Sequence, residues 1–275
     1  MYSRAYVEIT NICNMRCSFC HGHSRERRKM SAEEFARVLS QLEGKTKYIY
    51  YHLMGEPLLH PDLPLFLEMA KNRGFHSIIT TNGTLLNRER AEHLAPYLHK
   101  VNISLHSFEA NTGIRHLDYL TQVAEFAKAA TALGTIVSLR LWNKGHDEGR
   151  NDSTLTLLHR LFPQPWTENT RGYRLQDRLF LEWGDRFQWP DLAAPVQGDS
   201  VFCYGMKEHF GILCDGSVVP CCLDSEGAII LGNVFRQELS EILDSPRAKA
   251  MVHGFQCRKA TEELCRRCGY AQRFT

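Results

Sequence analysis

The sequence contains little that would place this protein in a membrane or on a nucleic acid. No apolar run approaches the roughly eighteen residues that a transmembrane helix needs. The formal net charge is only +2 over 275 residues, too small to indicate a nucleic-acid partner. The first apolar alternation, at residues 5–9, begins almost at Met1 and leaves no room for a signal or transit peptide. We therefore expect a cytoplasmic protein that binds neither membrane nor nucleic acid.

Cysteine is absent from the whole middle of the chain. The sequence has ten cysteines, and none lies between Cys20 and Cys203. Stable disulfides are uncommon in a reducing compartment, so clustered cysteines indicate metal binding or catalysis. Two separate metal sites, one near each end of the chain, are the most economical interpretation.

The composition of the whole chain, 43% hydrophobic and 23% charged, is that of an ordinary globular protein. Through its first two-thirds, strand-type runs alternate with segments of helical periodicity. The predicted strands are 5–9, 48–53, 77–81, 100–105, 135–141 and 179–182. The predicted helices are 31–42, 62–72, 87–95, 117–133 and 153–161. Ser31 and Glu34 form a capping-box pattern at the start of the first helix.

Regular βα alternation predicts parallel strands joined by helical crossovers. Six such units are too few for a closed eight-stranded barrel, so the expected fold is α/β, a partial (β/α)6 TIM-like barrel. Its functional loops should follow the carboxyl ends of the strands. Residues 183–200 mix Gly, Pro and aromatic residues and indicate a linker. We predict a barrel domain at 1–195 and a small cysteine-rich extension of a hairpin plus helices at 196–275.

The N-terminal cysteines Cys13, Cys17 and Cys20 follow the first predicted strand with a C-x3-C-x2-C spacing. Three close thiolates without a local fourth would leave one iron of a [4Fe-4S] cluster open to an outside ligand. Zinc prefers a closed tetrahedral set, which His21 or His23 could complete. The spacing alone leaves both possibilities open.

The triplet resembles the signature of the radical S-adenosylmethionine (SAM) superfamily, including the aromatic Phe19 directly before the third cysteine. This resemblance implies a [4Fe-4S] cluster whose open iron binds SAM. It also implies reductive cleavage of SAM to methionine and a 5′-deoxyadenosyl radical, which abstracts hydrogen from a substrate.

Four further elements resemble SAM-contacting segments of that superfamily, each at a strand end. Met54-Gly55-Glu56-Pro57 resembles the GGEP element, with Met54 in place of the first glycine. The resemblance implies that SAM contacts the following residues: Phe19, Gly55, Glu56, Pro57, Asn82, Ser104 and Arg140. Arg140 is expected to pair with the SAM carboxylate.

The C-terminal cysteines resemble those of SPASM and twitch extensions, which carry auxiliary [4Fe-4S] clusters. The implied ligands are Cys203, Cys221, Cys265 and Cys268. Phe274 stands where a full SPASM domain would have its next cysteine, which favours the one-cluster twitch type. A zinc ribbon is the alternative, because two cysteine pairs suit Zn²⁺ equally well on spacing alone.

The remaining cysteines have ordinary packing explanations. Cys214 and Cys257 are expected to be small core residues. Cys222 neighbours a ligand and in a strand would point the opposite way, so it is a candidate hydrogen donor to a substrate radical. His106, Trp142 and Asn143 are candidate substrate contacts at the barrel mouth.

The basic run at 25–29 is either a solvated face or a docking rim for an acidic electron donor, a flavodoxin or ferredoxin. The expected function is hydrogen abstraction from a small molecule, leading to oxidation. The alternatives are radical epimerisation, modification of a peptide, and a non-catalytic metal-binding adaptor. Because the chain starts at the first predicted strand, we expect no leader-peptide module before it, which weakens the peptide alternative.

Overall fold

The computed structural model describes residues 1–111, 113–147 and 149–274. Its strands form one sheet in the order β11-β10-β9-β1-β2-β3-β4-β5-β8-β7-β6. The strands are β1 (Arg4–Val7), β2 (Tyr48–Tyr50), β3 (His76–Thr81), β4 (Leu98–Ser104), β5 (Ile136–Lys144), β6 (Thr167–Asn169), β7 (Gly172–Gln176), β8 (Leu179–Asp185), β9 (His209–Ile212), β10 (Ser217–Val219) and β11 (Gly232–Asn233).

Six neighbouring strands, β1-β2-β3-β4-β5-β8, run parallel to one another. They coincide with the six predicted strands to within a few residues at each end. The predicted partial barrel is therefore confirmed. Its carboxyl ends gather the loops that carry the predicted site.

Helices cover the outer face of the parallel strands. The helices are α1 (Ala32–Leu42), α2 (Leu63–Asn72), α3 (Arg88–Leu94), α4 (His116–Ala132), α5 (Arg150–Leu161), α6 (Leu239–Leu243), α7 (Pro246–Gln256) and α8 (Glu263–Arg266). At the start of α1 the Ser31 side chain accepts from the Glu34 amide, and the Glu34 side chain accepts from the Ser31 amide, as predicted. Among the described residues, no helix is long and apolar enough to cross a membrane.

Side chains alternate between the two faces of the sheet. The outer face is apolar: Val7, Ile49 and Val101 are fully buried and belong to the main core beneath the helices. The inner face is largely polar and carries Arg4, Tyr6, Tyr50, His52, Lys100, Asn102, Ser138, Arg140 and Glu182. The protein thus has one apolar layer outside the barrel and a polar interior.

The cysteine-rich extension continues the barrel sheet. β9 pairs in parallel with β1, with Arg4 opposite His209 and Val7 opposite Ile212. β10 then returns antiparallel through the predicted turn, where Gly216 has a φ of +84°. The hairpin was predicted, but its pairing with β1 was not. The division at 195/196 remains a prediction, since the sheet crosses it.

A second hairpin lies at the opposite edge of the sheet and was missed from the sequence. β6 pairs antiparallel with β7, and β7 pairs antiparallel with β8. β6 is short and exposed, so it has no apolar alternation that would have indicated a strand.

Candidate active site and metal centres

The N-terminal cysteines lie in the loop that follows β1. The loop makes one tight turn, where the Cys20 amide donates to the Cys17 carbonyl over 3.1 Å. Cys17 Sγ lies 3.7 Å from the carbonyl oxygen of Ser107, beyond the end of β4. Burial, with the charges of Cys20 and Cys13, raises the pKa of Cys17 to about 12. The three thiols therefore face one another at the carboxyl ends of the strands.

The donor set of this loop is three cysteine thiols. Among the described residues, no group of three or more His, Cys, Asp or Glu side chains is arranged to hold a single metal ion. Burial raises the pKa of Cys13 and of Cys20 as well, and a bound metal would favour their thiolate form. Three thiols without a local fourth fit a [4Fe-4S] cluster that keeps one iron open.

The Met54-Gly55-Glu56-Pro57 loop packs directly on the cysteine loop. Gly55 has a φ of +77°, and a Cβ atom here would overlap the carbonyl oxygen of Thr10. Only glycine combines this positive φ with the absence of a Cβ atom at so close an approach. The Glu56 amide donates to the Ile12 carbonyl over 2.9 Å, and Pro57 opens a short 3-10 turn. The loop is therefore fixed against the cysteine-bearing segment.

Glu56 is held by backbone amides. Its carboxylate accepts from the Leu58 amide over 3.1 Å and from the Asn82 amide over 2.8 Å. Burial raises the pKa of this carboxyl group to about 7. The contacts that the structure shows for Glu56 link the ends of β2 and β3. Its contact with SAM remains a prediction.

Asn82 joins the end of β3 to the cysteine loop. Its Nδ2 donates to Asn14 Oδ1 over 2.9 Å and lies 3.9 Å from Cys13 Sγ. The Tyr119 hydroxyl donates to the Asn82 carbonyl over 2.8 Å. The predicted residue therefore lies beside the first cysteine.

The loops after β4 and β5 close the other side of the mouth. The rings of Phe19 and His106 are 4.6 Å apart, and His106 Nδ1 is 3.0 Å from the Arg140 carbonyl oxygen. Burial lowers the pKa of His106 to about 4, so the ring is neutral at pH 7. Ser104 ends β4 and is half-buried. Two residues of the predicted SAM site, Phe19 and Arg140, thus contact the His106 ring, Arg140 through its main-chain carbonyl.

Arg140 lies on the inner face of β5 with an acidic partner of its own. Its Nε is 3.5 Å from Glu182 Oε2, and its guanidinium lies 4.4 Å from the centre of a Trp142 ring. Lys100 Nζ is 3.3 Å from the other oxygen of Glu182. Burial would raise the pKa of Glu182, but Lys100 and Arg140 lower it. Arg140 is therefore paired with Glu182 in this structure, and its contact with the SAM carboxylate remains a prediction.

Charged and polar side chains lie on the inner face of the parallel strands, and several of them are only partly buried. The side chains of Lys100, Arg140 and Glu182 are 23%, 15% and 13% exposed. Asn102 Oδ1 and His52 Nδ1 are buried and have no hydrogen-bond partner among the residues described. Such atoms are costly unless a ligand or water satisfies them.

The four predicted auxiliary ligands come together in the C-terminal extension. Burial raises the pKa of Cys221 strongly, and Cys222, Cys203, Cys265 and Cys268 add to this. Cys268 donates its amide to the Cys265 carbonyl at the end of α8, over 3.3 Å. A Cβ on Gly205 would contact both Cys203 Sγ and Cys221 Cβ, at 3.5 and 3.9 Å. Four thiols therefore lie near one another, a donor set that suits either an iron–sulfur cluster or Zn²⁺.

Cys222 directly follows the predicted ligand Cys221. It packs on a small buried cluster of Tyr6, Leu53, Leu213 and Val219. Burial raises its pKa to about 11, and burial together with Cys222 raises the pKa of Tyr6. The thiol is therefore neutral, and its role as a hydrogen donor remains a prediction.

The other two cysteines differ from each other. Cys214 is buried, as predicted, and burial together with Glu8 raises its pKa to about 12. The prediction for Cys257 is wrong: it is exposed, with Sγ 3.7 Å from His253 Nε2. It follows the last turn of α7, where its side chain reaches solvent.

The basic run is only partly a free surface. Arg25 pairs with buried Glu8, and Arg28 pairs with Glu34. Arg27 and Lys29 remain exposed. These two ion pairs could not be predicted from the run itself, because each arginine pairs with a residue outside it.

An open groove of about 560 Å³ runs beside the cysteine loop. The Trp189 indole donates to the Phe19 carbonyl over 2.8 Å, and its ring stacks near His21. Arg186 donates to the Ser18 carbonyl over 3.0 Å. The segment 183–200, predicted as a linker, therefore packs across the cysteine loop and forms one wall of this groove.

Comparison with protein families gives two matches. The model of the radical SAM superfamily matches residues 7–142, and that of an iron–sulfur cluster-binding domain, SPASM, matches residues 203–269. Together these matches contain every cysteine of the two groups described above.

Two curated relatives match the N-terminal part. A tungsten-containing aldehyde ferredoxin oxidoreductase cofactor-modifying protein of Pyrococcus furiosus is 38% identical over 94 residues, 33% of this chain and 26% of that protein. A probable GTP 3′,8-cyclase of Methanothermobacter thermautotrophicus is 36% identical over 137 residues, 46% of this chain and 44% of that protein. The chain therefore spans less than half the length of these relatives.

Solved structures share the whole fold. BtrN in complex with AdoMet and 2-DOIA has a TM-score of 0.64 at 20% identity, covering 98% of this chain and 93% of BtrN. Streptococcus suis SuiB bound to precursor peptide SuiA has a TM-score of 0.59 at 16% identity, covering 98% and 71%. Native anSMEcpe with bound AdoMet and Cp18Cys peptide has a TM-score of 0.63 at 14% identity, covering 96% and 87%. The barrel and its extension are thus similar to these chains as one fold.

Proposed function

Since the chain belongs to the radical SAM superfamily and carries a C-terminal iron–sulfur cluster-binding domain, we propose that it abstracts a hydrogen atom from a small molecule inside the barrel. The family's cofactors are a [4Fe-4S] cluster and SAM, and the second domain carries auxiliary iron–sulfur clusters. When bound, the reduced cluster supplies the electron that cleaves SAM to methionine and a 5′-deoxyadenosyl radical. The observation that carries the proposal is that two buried polar atoms on the inner side of the sheet, Asn102 Oδ1 and His52 Nδ1, have no hydrogen-bond partner among the described residues.

The chain's own residues would hold these groups at the mouth of the barrel. Cys13, Cys17 and Cys20 bind the cluster and leave one iron for SAM. Gly55 brings backbone close to the cysteine loop, and Arg140 offers a guanidinium for a carboxylate. Phe19 with Glu56, Pro57, Asn82 and Ser104 would form the rest of the SAM site. His106 and Trp142 border the interior below it, as contacts for the substrate.

Oxidation of the substrate is the outcome we favour. A substrate carbon that bears OH or NH₂ loses a hydrogen atom to the 5′-deoxyadenosyl group, then one proton and one electron. Cys221, in the auxiliary group, directly precedes Cys222, whose side chain packs inside the barrel. An electron acceptor would thus border the chamber, held by Cys203, Cys221, Cys265 and Cys268.

Epimerisation is the second candidate, and the position of Cys222 favours it. Its neutral thiol packs against the inner apolar cluster. The thiol would give a hydrogen atom to the face of the substrate radical opposite to the one that lost hydrogen. The Cys222 thiyl radical left behind would then take up one proton and one electron, the electron coming from the proposed flavodoxin or ferredoxin. Oxidation needs no hydrogen donor, so Cys222 is required for epimerisation and dispensable for oxidation.

The proposed electron donor is a flavodoxin or ferredoxin. Exposed Arg27 and Lys29 lie near the cysteine loop, while Arg25 and Arg28 are engaged in ion pairs. An acidic donor would meet this smaller basic surface. A peptide is the alternative to a small-molecule substrate, and the open groove beside Trp189 is the surface that would receive it.

Turnover in D₂O tests oxidation against epimerisation. The substrate is first identified as the component of a small-molecule extract that accelerates formation of 5′-deoxyadenosine. Oxidation predicts a product two hydrogens lighter, formed equally well by Cys222→Ala. Solvent deuterium retained at the reacting carbon, and lost in Cys222→Ala, would instead establish the thiol as donor.

A further inference from the structure

Arg4 places a positive charge inside the barrel at the end opposite to the cysteine loop. It is the first residue of β1, three residues before the strand ends at Val7. That span is about 10 Å at the rise of a strand. Its guanidinium lies 5.5 Å from the centre of the Tyr50 ring, on the inner face of β2. The two ends of the chamber are therefore the SAM site and this arginine.

Arg4 has no acidic partner among residues 1–111, 113–147 and 149–274. The other inward cations differ, since Lys100 and Arg140 both contact Glu182. The groups nearest Arg4 are the side chain of Tyr6, with which its guanidinium hydrogen-bonds, the Tyr50 ring and the Cys222 side chain. None of the three is a carboxylate, so this half-buried guanidinium has polar and aromatic contacts but no acidic counter-ion.

His52, two residues past the end of β2, supplies an unused hydrogen-bonding atom. Its Nδ1 is buried without a partner in the described structure. Burial, with the charges of Arg140 and Arg4, lowers its pKa to about 3, which keeps the ring neutral. Tyr6 contacts the His52 ring edge to face at 5.3 Å, and the Tyr50 ring lies 6.0 Å from it. The Tyr6 and Tyr50 rings therefore contact both Arg4 and His52.

We propose that Arg4 binds a carboxylate of the substrate, with His52 hydrogen-bonded to the same ligand. The proposal rests on the proposed function, since it places the substrate between Arg4 and the SAM site. A planar guanidinium matches a carboxylate with two parallel hydrogen bonds. A phosphate dianion would need a second unpaired cation, and Lys100 and Arg140 are engaged with Glu182. The substrate class is therefore a small carboxylic acid.

Benzoate is a suitable probe because its ring can lie against Tyr6 and Tyr50 while its carboxylate meets Arg4. Radiolabelled benzoate is measured by equilibrium dialysis against the anaerobically reconstituted, SAM-bound full chain. We expect one saturable site, weakened at least tenfold by Arg4→Gln and less by Arg4→Lys. The exposed Arg160→Gln is the matched control and should bind as the unmodified protein does. Benzamide and inorganic phosphate should each compete at least tenfold more weakly than unlabelled benzoate.

Three results would overturn the carboxylate site: no saturable benzoate binding, equal binding by Arg4→Gln, or better displacement by phosphate than by benzoate. If Arg4→Gln does not fold, the benzoate affinity of Arg4→Lys and the competition experiment in the unmodified protein still test the carboxylate site. Formation of 5′-deoxyadenosine is measured on the same preparations. Failure of benzoate binding with intact SAM cleavage refutes the carboxylate site alone, whereas absence of SAM cleavage refutes the proposed function.

Discussion

The guanidinium of Arg25 forms a two-point ion pair with the buried carboxylate of Glu8, at 2.9 and 2.7 Å. Glu8 also accepts from the amides of Met54 and Cys214, over 3.1 and 3.2 Å. Arg25 Nε donates to the Ser225 carbonyl over 2.7 Å. One ion pair therefore joins β1, the cysteine loop, the Met54 loop and the C-terminal extension. The extension helps to fix the loop that holds the first cluster.

Arg25→Gln should destabilise the protein by about 3 kcal/mol, because it leaves the buried Glu8 carboxylate without its counter-charge. The control is Arg88→Gln, which breaks the exposed pair with Glu92 and should cost less than about 0.5 kcal/mol. Urea unfolding of both variants measures the difference. Equal losses in the two variants would show that the Glu8 pair does not hold the loops together.

Iron analysis tests the two metal centres. Anaerobic reconstitution should give about eight irons per chain, as two [4Fe-4S] clusters. Replacing Cys13, Cys17 and Cys20 with Ala should remove half of them, because a different set of cysteines holds the auxiliary cluster. Cys257→Ala, at an exposed cysteine outside both groups, is the control and should keep all of the iron. Stoichiometric zinc beside only four irons in anaerobically purified protein would contradict the auxiliary cluster.

Local patterns predicted the barrel better than they predicted its long-range contacts. The Ser31 and Glu34 capping box and the six strands could be predicted because the spacing of nearby residues determines them. The pairing of Arg4 with His209 joins residues some two hundred positions apart, and no periodicity specifies such a register.

The same distinction applies to the site. The cysteine groups were found from spacing, and the structure brings each group together. The Arg25–Glu8 pair was missed because Arg25 sits in a run of charges that resembles a solvated face. The Arg140–Glu182 contact was missed because it depends on β5 and β8 being neighbours, which single-strand patterns do not show.

His52 should make stability depend on pH. Its folded-state pKa is about 3, against an ordinary value near 6.5. As the pH falls, His52 therefore takes up a proton in the unfolded chain but stays neutral in the folded chain, and the free energy of unfolding decreases. From pH 7.5 to 5.5 the His52 contribution is about 1.4 kcal/mol. His52→Gln should remove this part of the decline, measured by urea unfolding at each pH, whereas exposed His146→Gln should not; an unchanged slope in His52→Gln would contradict the buried neutral ring.

Arg140→Gln should weaken SAM binding about tenfold or more, because hydrogen bonds between charged groups contribute about 1.5–3 kcal/mol. The matched control is Lys144→Gln, an exposed cation at the end of the same strand. Equilibrium dialysis of SAM with reconstituted protein gives both affinities. Unchanged affinity in Arg140→Gln would mean that Arg140 serves Glu182 alone.

Anaerobic incubation of the reduced, reconstituted protein with SAM tests the central claim most directly. The chain should release 5′-deoxyadenosine and methionine even without substrate, and Cys17→Ala should abolish both products. Cys222→Ala should retain this cleavage, since its thiol lies in the interior away from the cysteine loop. S-adenosylhomocysteine as the product, or undiminished 5′-deoxyadenosine from Cys17→Ala, would contradict the account.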